Sequence, residues 1–386
     1  MPPASGPYGG GTISGKKTAV VVIVVVIVVV LLLVVAAFLG SQDDGPDVPP
    51  RSETIPSNAV KMTPATDQFP PILHSDEWAT PVPMPGPVNT AGAEDSPFIS
   101  PDGNRFFFFF TPDVTVPANE QLLDRVTGIW WCRLVNGSWT EPERIVLSDD
   151  VALDGAEFVT GDTMWFASVR VGNYGEIDVY TAELEDGEWD DVKNAGIELN
   201  QEYDIGEFHI APDGATMYFH TGNVGFGESM DLWTTTKTSS GWSEPVEVPG
   251  VNTAATEGYP FITADGNELW YTGTSKLGYP GPALFRCTRS GDSWSAATEV
   301  VSQFAGECTM DSEKNMYFVH HYFTQDPVTH NMTMIEADIY VAYHVDGTRS
   351  CATTLEMLDG APGVEVVAAV CRDTLLPAST LSTLAV

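Results

Sequence analysis

Two stretches decide the fold: VNTAGAEDSPFISPDGN, from Val88 to Asn104, and VNTAATEGYPFITADGN, from Val251 to Asn267. They start 163 residues apart and follow one pattern. A third copy, GEFHIAPDGATMYFHT, begins at Gly206, and a fourth, GECTMDSEKNMYFVHH, begins at Gly306 and aligns with the third without a gap. A fifth, GAEFVTGDTMWFAS, begins at Gly155 and has a shortened turn. Their turn acids are Asp102, Asp162, Asp213, Asp265 and Glu313, spaced by 60, 51, 52 and 48 residues. A period near this length marks an array of supersecondary units, each unable to bury its apolar faces alone.

A tryptophan on a short strand follows four of the copies, after a Gly, Ser or Asp turn: Trp139, Trp189, Trp242 and Trp294. Each unit therefore contains an inner strand, a turn, a second strand, a third strand such as GIWWCRL or MDLWTTT, and a Trp-bearing outer strand. Strands of this length joined by such turns are hairpin-forming, and four-stranded units in series are the blades of a β-propeller. The copy at Gly306 has no Trp strand after it, whereas DEWATPVPMPGPVNT around Trp78 precedes the first copy and matches GWSEPVEVPGVNT around Trp242. The expectation is an all-β chain: a five-bladed propeller over residues 76–345, its last blade completed by an N-terminal strand so that no sheet edge stays open.

The pattern seen in FISPDGNRFFFFF and HIAPDGATMYFHT resembles the WD-like propeller repeat of TolB-type proteins, over about 270 residues of this chain. The resemblance implies the fold. It carries no activity, because propellers host binding, scaffolding and hydrolysis alike. Two copies depart from the pattern, at Gly161-Asp162 and at Asp311-Ser312-Glu313-Lys314.

Outside the repeats the chain has a clear order. Residues 1–17 are Gly, Pro and Ser-rich and end in Lys16 and Lys17, and are expected to be a disordered cytoplasmic tail. Thr18 to Leu39 is an unbroken apolar run, long enough as a helix to cross a bilayer. It exceeds a cleaved signal's apolar core and lacks a good cleavage site, so a retained anchor is expected. Lysines before the run and Asp43, Asp44 and Asp47 after it keep the N-terminus cytoplasmic and export the rest. Residues 40–75 are proline-rich, and are expected to form a semi-rigid spacer. Residues 346–386 carry no assignable structure.

With 17 Lys+Arg against 53 Asp+Glu the formal charge is −36, which excludes a nucleic-acid partner. Five scattered cysteines make no disulfide framework, and no zinc-binding spacing is present. The partners expected are the membrane, through residues 18–39, and a protein, glycan or envelope component.

Candidate functional residues lie on the inner strands. Each copy carries a glutamate there: Glu94, Glu157, Glu207, Glu257 and Glu307. Glu207 and Glu307 align directly, while Glu94 and Glu257 fall two positions earlier, which on a strand is the same face. Three roles are open. The glutamates brace neighbouring blades, or they hold a cation such as calcium at Glu207 and Glu307, which takes about six to eight oxygen ligands. Alternatively, as in the arabinanase- and xylosidase-type five-bladed propellers, two of them act as the acid pair of a glycoside hydrolase. His209, His320 and His321 are secondary candidates, without any recognisable zinc motif around them. Phe106 to Phe110 is expected to pack between blades. The first hypothesis is a membrane-tethered, extracytoplasmic binding or scaffold module, and the second a glycosidase-like hydrolase. Protease applied outside intact cells should digest everything beyond residue 40, read by blotting against the C-terminal half; full protection would place the repeats on the other side of the membrane.

Overall fold

The computed structural model describes residues 48–347, except 122, 149–150, 201–204 and 222–229. The apolar run 18–39 and the tail from 348 lie outside the described residues. Among the described residues no helix is long and apolar enough to cross a membrane. Helix there is confined to Arg51–Thr54, Ala118–Gln121 and Ile197–Asn200, and the rest of the regular structure is strand.

The Pro-Asp-Gly turns explain the repeating hairpins. Asp102 Oδ1 accepts hydrogen bonds from Ser100 Oγ (2.5 Å) and the Asn104 N–H (3.1 Å), and Ser100 Oγ accepts from the Arg105 N–H at 2.9 Å. Gly103 sits at φ 68°, a left-handed conformation that suits a residue without Cβ. Asp265 repeats the arrangement with Thr263 and Asn267. In the last copy the work passes to Asp311, which accepts from the Glu313 and Asn315 N–H groups, while Lys314 takes the left-handed place. Glu313, aligned as the turn acid, gives its backbone N–H to Asp311 in this turn.

Each copy opens an antiparallel module. The first is Ala93–Ile99, Arg105–Thr111 and Gly128–Val135, edged by Ser138–Trp139 and Glu143–Arg144. The second is Ala152–Thr160, Thr163–Arg170, Asp178–Glu185 and Glu188–Asn194. The third is Phe208–Ile210, Thr216–Thr221 and Asp231–Thr238, edged by Gly241–Trp242 and Val246–Glu247. The fourth is Glu257–Ile262, Glu268–Thr274 and Pro282–Ser290, edged by Ser293–Trp294 and Thr298–Ser302. The last is Ala305–Met310, Met316–Gln325 and Met332–Ala342. Its outer edge is Val82–Pro83, with Val82 opposite Val341, and Trp78 forms a further bridge to His344. Each inner strand touches the next, and the last touches the first, so the modules close on themselves as a β-propeller.

Asparagine side chains lock successive modules. The Asn89 amide imitates a strand: it accepts from the Ile339 N–H (3.0 Å) and donates to the Ile339 carbonyl (2.8 Å). Asn252 does the same to Leu232, and Asn200 to Val179. The repeated VNT is thus a fastener between the entry to one module and the third strand of the module before it.

Aromatic packing fills the space between modules. Along Arg105–Thr111 the side chains alternate between faces. Phe106, Phe108 and Phe110 join Trp130 and Tyr317, whereas Phe107 stacks on Trp131 at 5.7 Å within a different cluster. This alternation is why five consecutive phenylalanines can all be accommodated: both faces of the strand are covered.

The stretch 40–75 is not a free spacer over its described part. Ile72–Leu73 pairs with Thr298–Ser302, Asp67 meets His320, and Lys61 clamps Glu336 and Asp338. Arg51 is buried over Phe108, Phe110 and Trp130, donating to Glu94 (3.0 Å) and to the Val88 carbonyl (2.8 Å). Proline content suggested a spacer, but the few charged residues between the prolines find buried partners and lay the segment along the modules. Glu336 and Asp338, for which a solvated or edge role is the simpler sequence expectation, are buried in that clamp.

Trp78 is 4 % exposed, donates its indole N–H to the Lys314 carbonyl at 2.8 Å and meets Trp270 edge-on at 5.6 Å. Trp78→Ala should reduce unfolding free energy by about 3–5 kcal/mol in denaturant titrations, against under about 1 kcal/mol for Val60→Ala at an exposed site. Because the strand closes the ring, the loss should shift one cooperative transition; a separate early transition of the N-terminal segment alone would contradict that role.

Candidate functional site

The site grows from a backbone irregularity. In four inner strands pairing slips by a step, between Asp95 and Phe98, Gly155 and Phe158, Gly258 and Phe261, and Gly306 and Thr309. At each slip a non-glycine residue adopts left-handed backbone: Ser96 (φ 45°), Ala156 (54°), Tyr259 (55°) and Glu307 (52°). Such bulges are strained and re-aim the side chains beside them. Here they bring Ser96, Glu157, Tyr259 and Glu307 to the lining of one axial cavity of about 40 Å³, and Glu207, just before the third inner strand, lines it too. The prolines at Pro97 and Pro260 are the missed sequence signal, since a proline inside an inner strand marks a bulge.

Ser96 links strands far apart in sequence. Its hydroxyl lies 3.0 Å from Glu207 Oε1 and 3.0 Å from Glu307 Oε2, and its N–H donates to Glu307 Oε2 at 3.2 Å. Glu157 is buried, and neither of its carboxylate oxygens has a hydrogen-bond partner. Burial drives the Glu157 carboxyl well above its usual range and the Glu207 charge adds to this, while the Glu157 backbone N–H opposes it without reaching hydrogen-bond geometry. Glu207 is pushed up to about 7 by burial, with the Asp95 charge adding and the Ser96 hydroxyl opposing. Glu307 rises well above its ordinary value, through burial and then the Asp95 and Glu207 charges. Burial works against the Asp95 charge too, but the hydrogen bond and charge of His321, 3.6 Å away, hold it below the usual carboxylate value.

The five sequence-aligned glutamates do not share one task. Glu157, Glu207 and Glu307 line the cavity. Glu94 and Glu257 do not. Glu94 accepts from the Thr90 N–H (2.9 Å) and hydroxyl (2.6 Å), and Glu257 takes the same two bonds, at the same lengths, from Thr253. They brace the loop that enters the module. The two-residue offset, read as a shared face, fails because the bulge lies between the two positions and breaks the strand alternation.

The histidines separate likewise. His209 reaches the cavity wall between Phe158 (4.5 Å) and Phe261 (4.8 Å), and its Nδ1 accepts from the Ile262 N–H at 3.4 Å. Burial lowers it to about 3. His220, outside the candidate set, accepts from the Tyr259 N–H at 3.1 Å and is lowered to about 4 by burial. His320 is buried against Asp67 at 2.9 Å, on the side facing residues 48–75. His321 serves the acid network through Asp95. Among the described residues no three His, Cys, Asp or Glu side chains converge as a metal site. Cys132, Cys287 and Cys308 are buried free thiols.

No family model and no curated protein matches the sequence. Similar solved structures include TolB from Acinetobacter baumannii, at 13% identity and a TM-score of 0.38, covering 66% of this chain and 55% of that one. The chain thus spans about half the length of that protein. Others are the catalytic domain of the Coprinopsis cinerea GH62 α-L-arabinofuranosidase (12% identity, TM-score 0.43, 71% and 98% covered) and the Podospora anserina α-L-arabinofuranosidase PaAbf62A (14%, 0.41, 69% and 96%).

The buried groups set a pH dependence. Glu207 is higher when folded, about 7 against 4.5, so its stabilisation is full below 4.5 and lost as pH rises through 7. That loss is at most about 3 kcal/mol, because the group is partly open to solvent. Glu157, Glu307 and Asp338 share the sign. His209 and His220 are lower when folded, so their stabilisation is full above 6.5 and lost as pH falls through 4 and then 3. Glu94 and Glu336 are raised as well, so six such carboxyls outweigh two histidines between these limits, and the lowered carboxyls, such as Glu77 and Asp95, lose their stabilisation only below their unfolded values of 4.5 and 3.8. Denaturant melts in amine-free buffer at high salt, which screens surface repulsion, should place maximal stability on the acidic side of neutrality, and Glu207→Gln should flatten the decline toward about pH 8. Stability that rises steadily to that pH would overturn the assignment.

Proposed function

We propose that this chain is a five-bladed β-propeller, anchored through residues 18–39 and displayed extracytoplasmically as a binding or scaffold module for a protein, glycan or envelope component. The observation that carries the choice of a module over an enzyme is the size and content of the axial cavity. At about 40 Å³ it is far below the volume of a small-molecule pocket, about 300–1,000 Å³. Its acids are bound to one another through Ser96 and are not set apart around a space that a sugar ring could enter.

The glycosidase-like alternative has one specific observation in its favour. Asp95 is held low and Glu307 high, and environments that push two carboxyls apart are how acid and base roles are divided. Retaining and inverting hydrolysis each need the pair to flank a bound glycosidic bond, at about 5–5.5 Å or 6.5–9.5 Å. The Ser96 N–H is bonded to both Asp95 and Glu307, so a backbone donor already occupies the place between them.

A panel of chromogenic glycosides and a glycan array, applied to the full chain in detergent, separate the readings. The expected result is no turnover, with any array signal being reversible binding that survives Glu307→Gln. Turnover of an arabinoside or xyloside that Glu307→Gln abolishes would establish the hydrolase instead.

A further inference from the structure

The axial cavity holds more hydrogen-bond acceptors than the protein supplies with donors. Glu157 is 6 % exposed and lines the cavity, yet its Oε1 and Oε2 are both without a partner. The Ser96 hydroxyl faces Glu207 and Glu307 at 3.0 Å each, and its N–H is shared between Glu307 and Asp95, so two hydrogens serve three acids. A buried carboxylate without a donor is costly. Burial already favours the protonated form of these acids, and a cation with more than one N–H that fits a space of about 40 Å³ would replace that proton and satisfy the charged form.

The walls narrow the choice. Phe98, Phe158, Tyr259 and Phe261 surround the acids, and aromatic rings attract cations. A divalent metal suits the site poorly, since no three ligating side chains converge among the described residues and calcium wants about six to eight oxygens. A guanidinium is a broad planar fork, whereas an ammonium is a compact group with three rotatable donors.

We propose that the axial cavity binds a primary ammonium group, with Glu157 accepting its hydrogens and the aromatic rings packing against its first carbons. This rests on the binding-module reading and supplies the ligand's chemistry. The cavity takes an ammonium head and not a whole amino acid, so the remainder of the ligand stays outside. The head belongs either to a lysine side chain of a protein partner or to a free small amine.

The test is calorimetry and thermal melting of the full chain in detergent, in amine-free buffer at constant ionic strength. Methylammonium, or a short peptide with one lysine and blocked termini, should raise the melting temperature saturably. Tetramethylammonium, which has no N–H, and the peptide with its lysine acetylated should not. Glu157→Gln keeps the shape and removes the charge, and should weaken binding by about tenfold or more, the size of a charge-assisted hydrogen bond. Tighter binding of the peptide assigns the head to a protein side chain, and tighter binding of methylammonium assigns it to a free amine; both support the site. Three results overturn it: no saturable response to either amine, an equal response to tetramethylammonium, or a calcium response of the same size that Glu157→Gln removes. Failure here would leave the module reading intact, whereas glycoside turnover would end that reading whatever the amines do.

Discussion

The pairing of Val82 with Val341, with Trp78 bridged to His344, is the constraint on which the remaining structure depends. It binds a segment near the start of the described chain to the last strand of the last module. Without it Met332–Ala342 would present an unpaired edge, and the modules would form an open arc. With it, each inner strand has a neighbour on both sides, and their bulged ends are forced toward a common axis. The acid-lined cavity follows from closure: Ser96 reaches Glu207 and Glu307 only because strands separated by 111 and 211 residues are brought within hydrogen-bond distance.

Closure is reinforced from outside. The segment from Val48 to Leu73 runs along the modules and is pinned at four places, by Arg51, Lys61, Asp67 and the strand Ile72–Leu73. The pinned acids are almost fully buried, and a buried ion pair gives little net stability while its rupture is costly. The arrangement therefore specifies where the segment lies more than it strengthens the fold. It also uses scarce cations well: the chain has 17 basic residues against 53 acidic ones, and several of the basic ones are spent here or on Asp154 and Glu77. None lines the axis, which keeps the cavity acidic.

Repeated residues and singular ones have separate work in this molecule. Asn89, Asn200 and Asn252 fasten modules by the same two hydrogen bonds, and Glu94 and Glu257 brace the same loop. The cavity instead combines residues that differ from copy to copy at equivalent depth: a serine, two glutamates, a tyrosine and, one position along, Glu157. A feature that every module needs is written into every copy, whereas the axis is one place, lined by all the modules at once.

The amino-acid sequence by itself determined the repeating unit, its four strands and the borrowed outer strand, because these depend on local turn chemistry, strand alternation and a tryptophan at a fixed offset. Phe106 to Phe110 could be recognised as packing between modules for the same reason. Only the tertiary structure decided which glutamates face the axis. Alternation predicts a face while pairing stays in step, and the slips beside Ser96, Ala156, Tyr259 and Glu307 break that step, so Glu94 and Glu257 turn away from Glu157, Glu207 and Glu307. The course of residues 48–75 was equally hidden, since proline content describes local stiffness and says nothing of Glu94, Glu336, Asp338 and His320, which lie far along the chain and hold that segment in place.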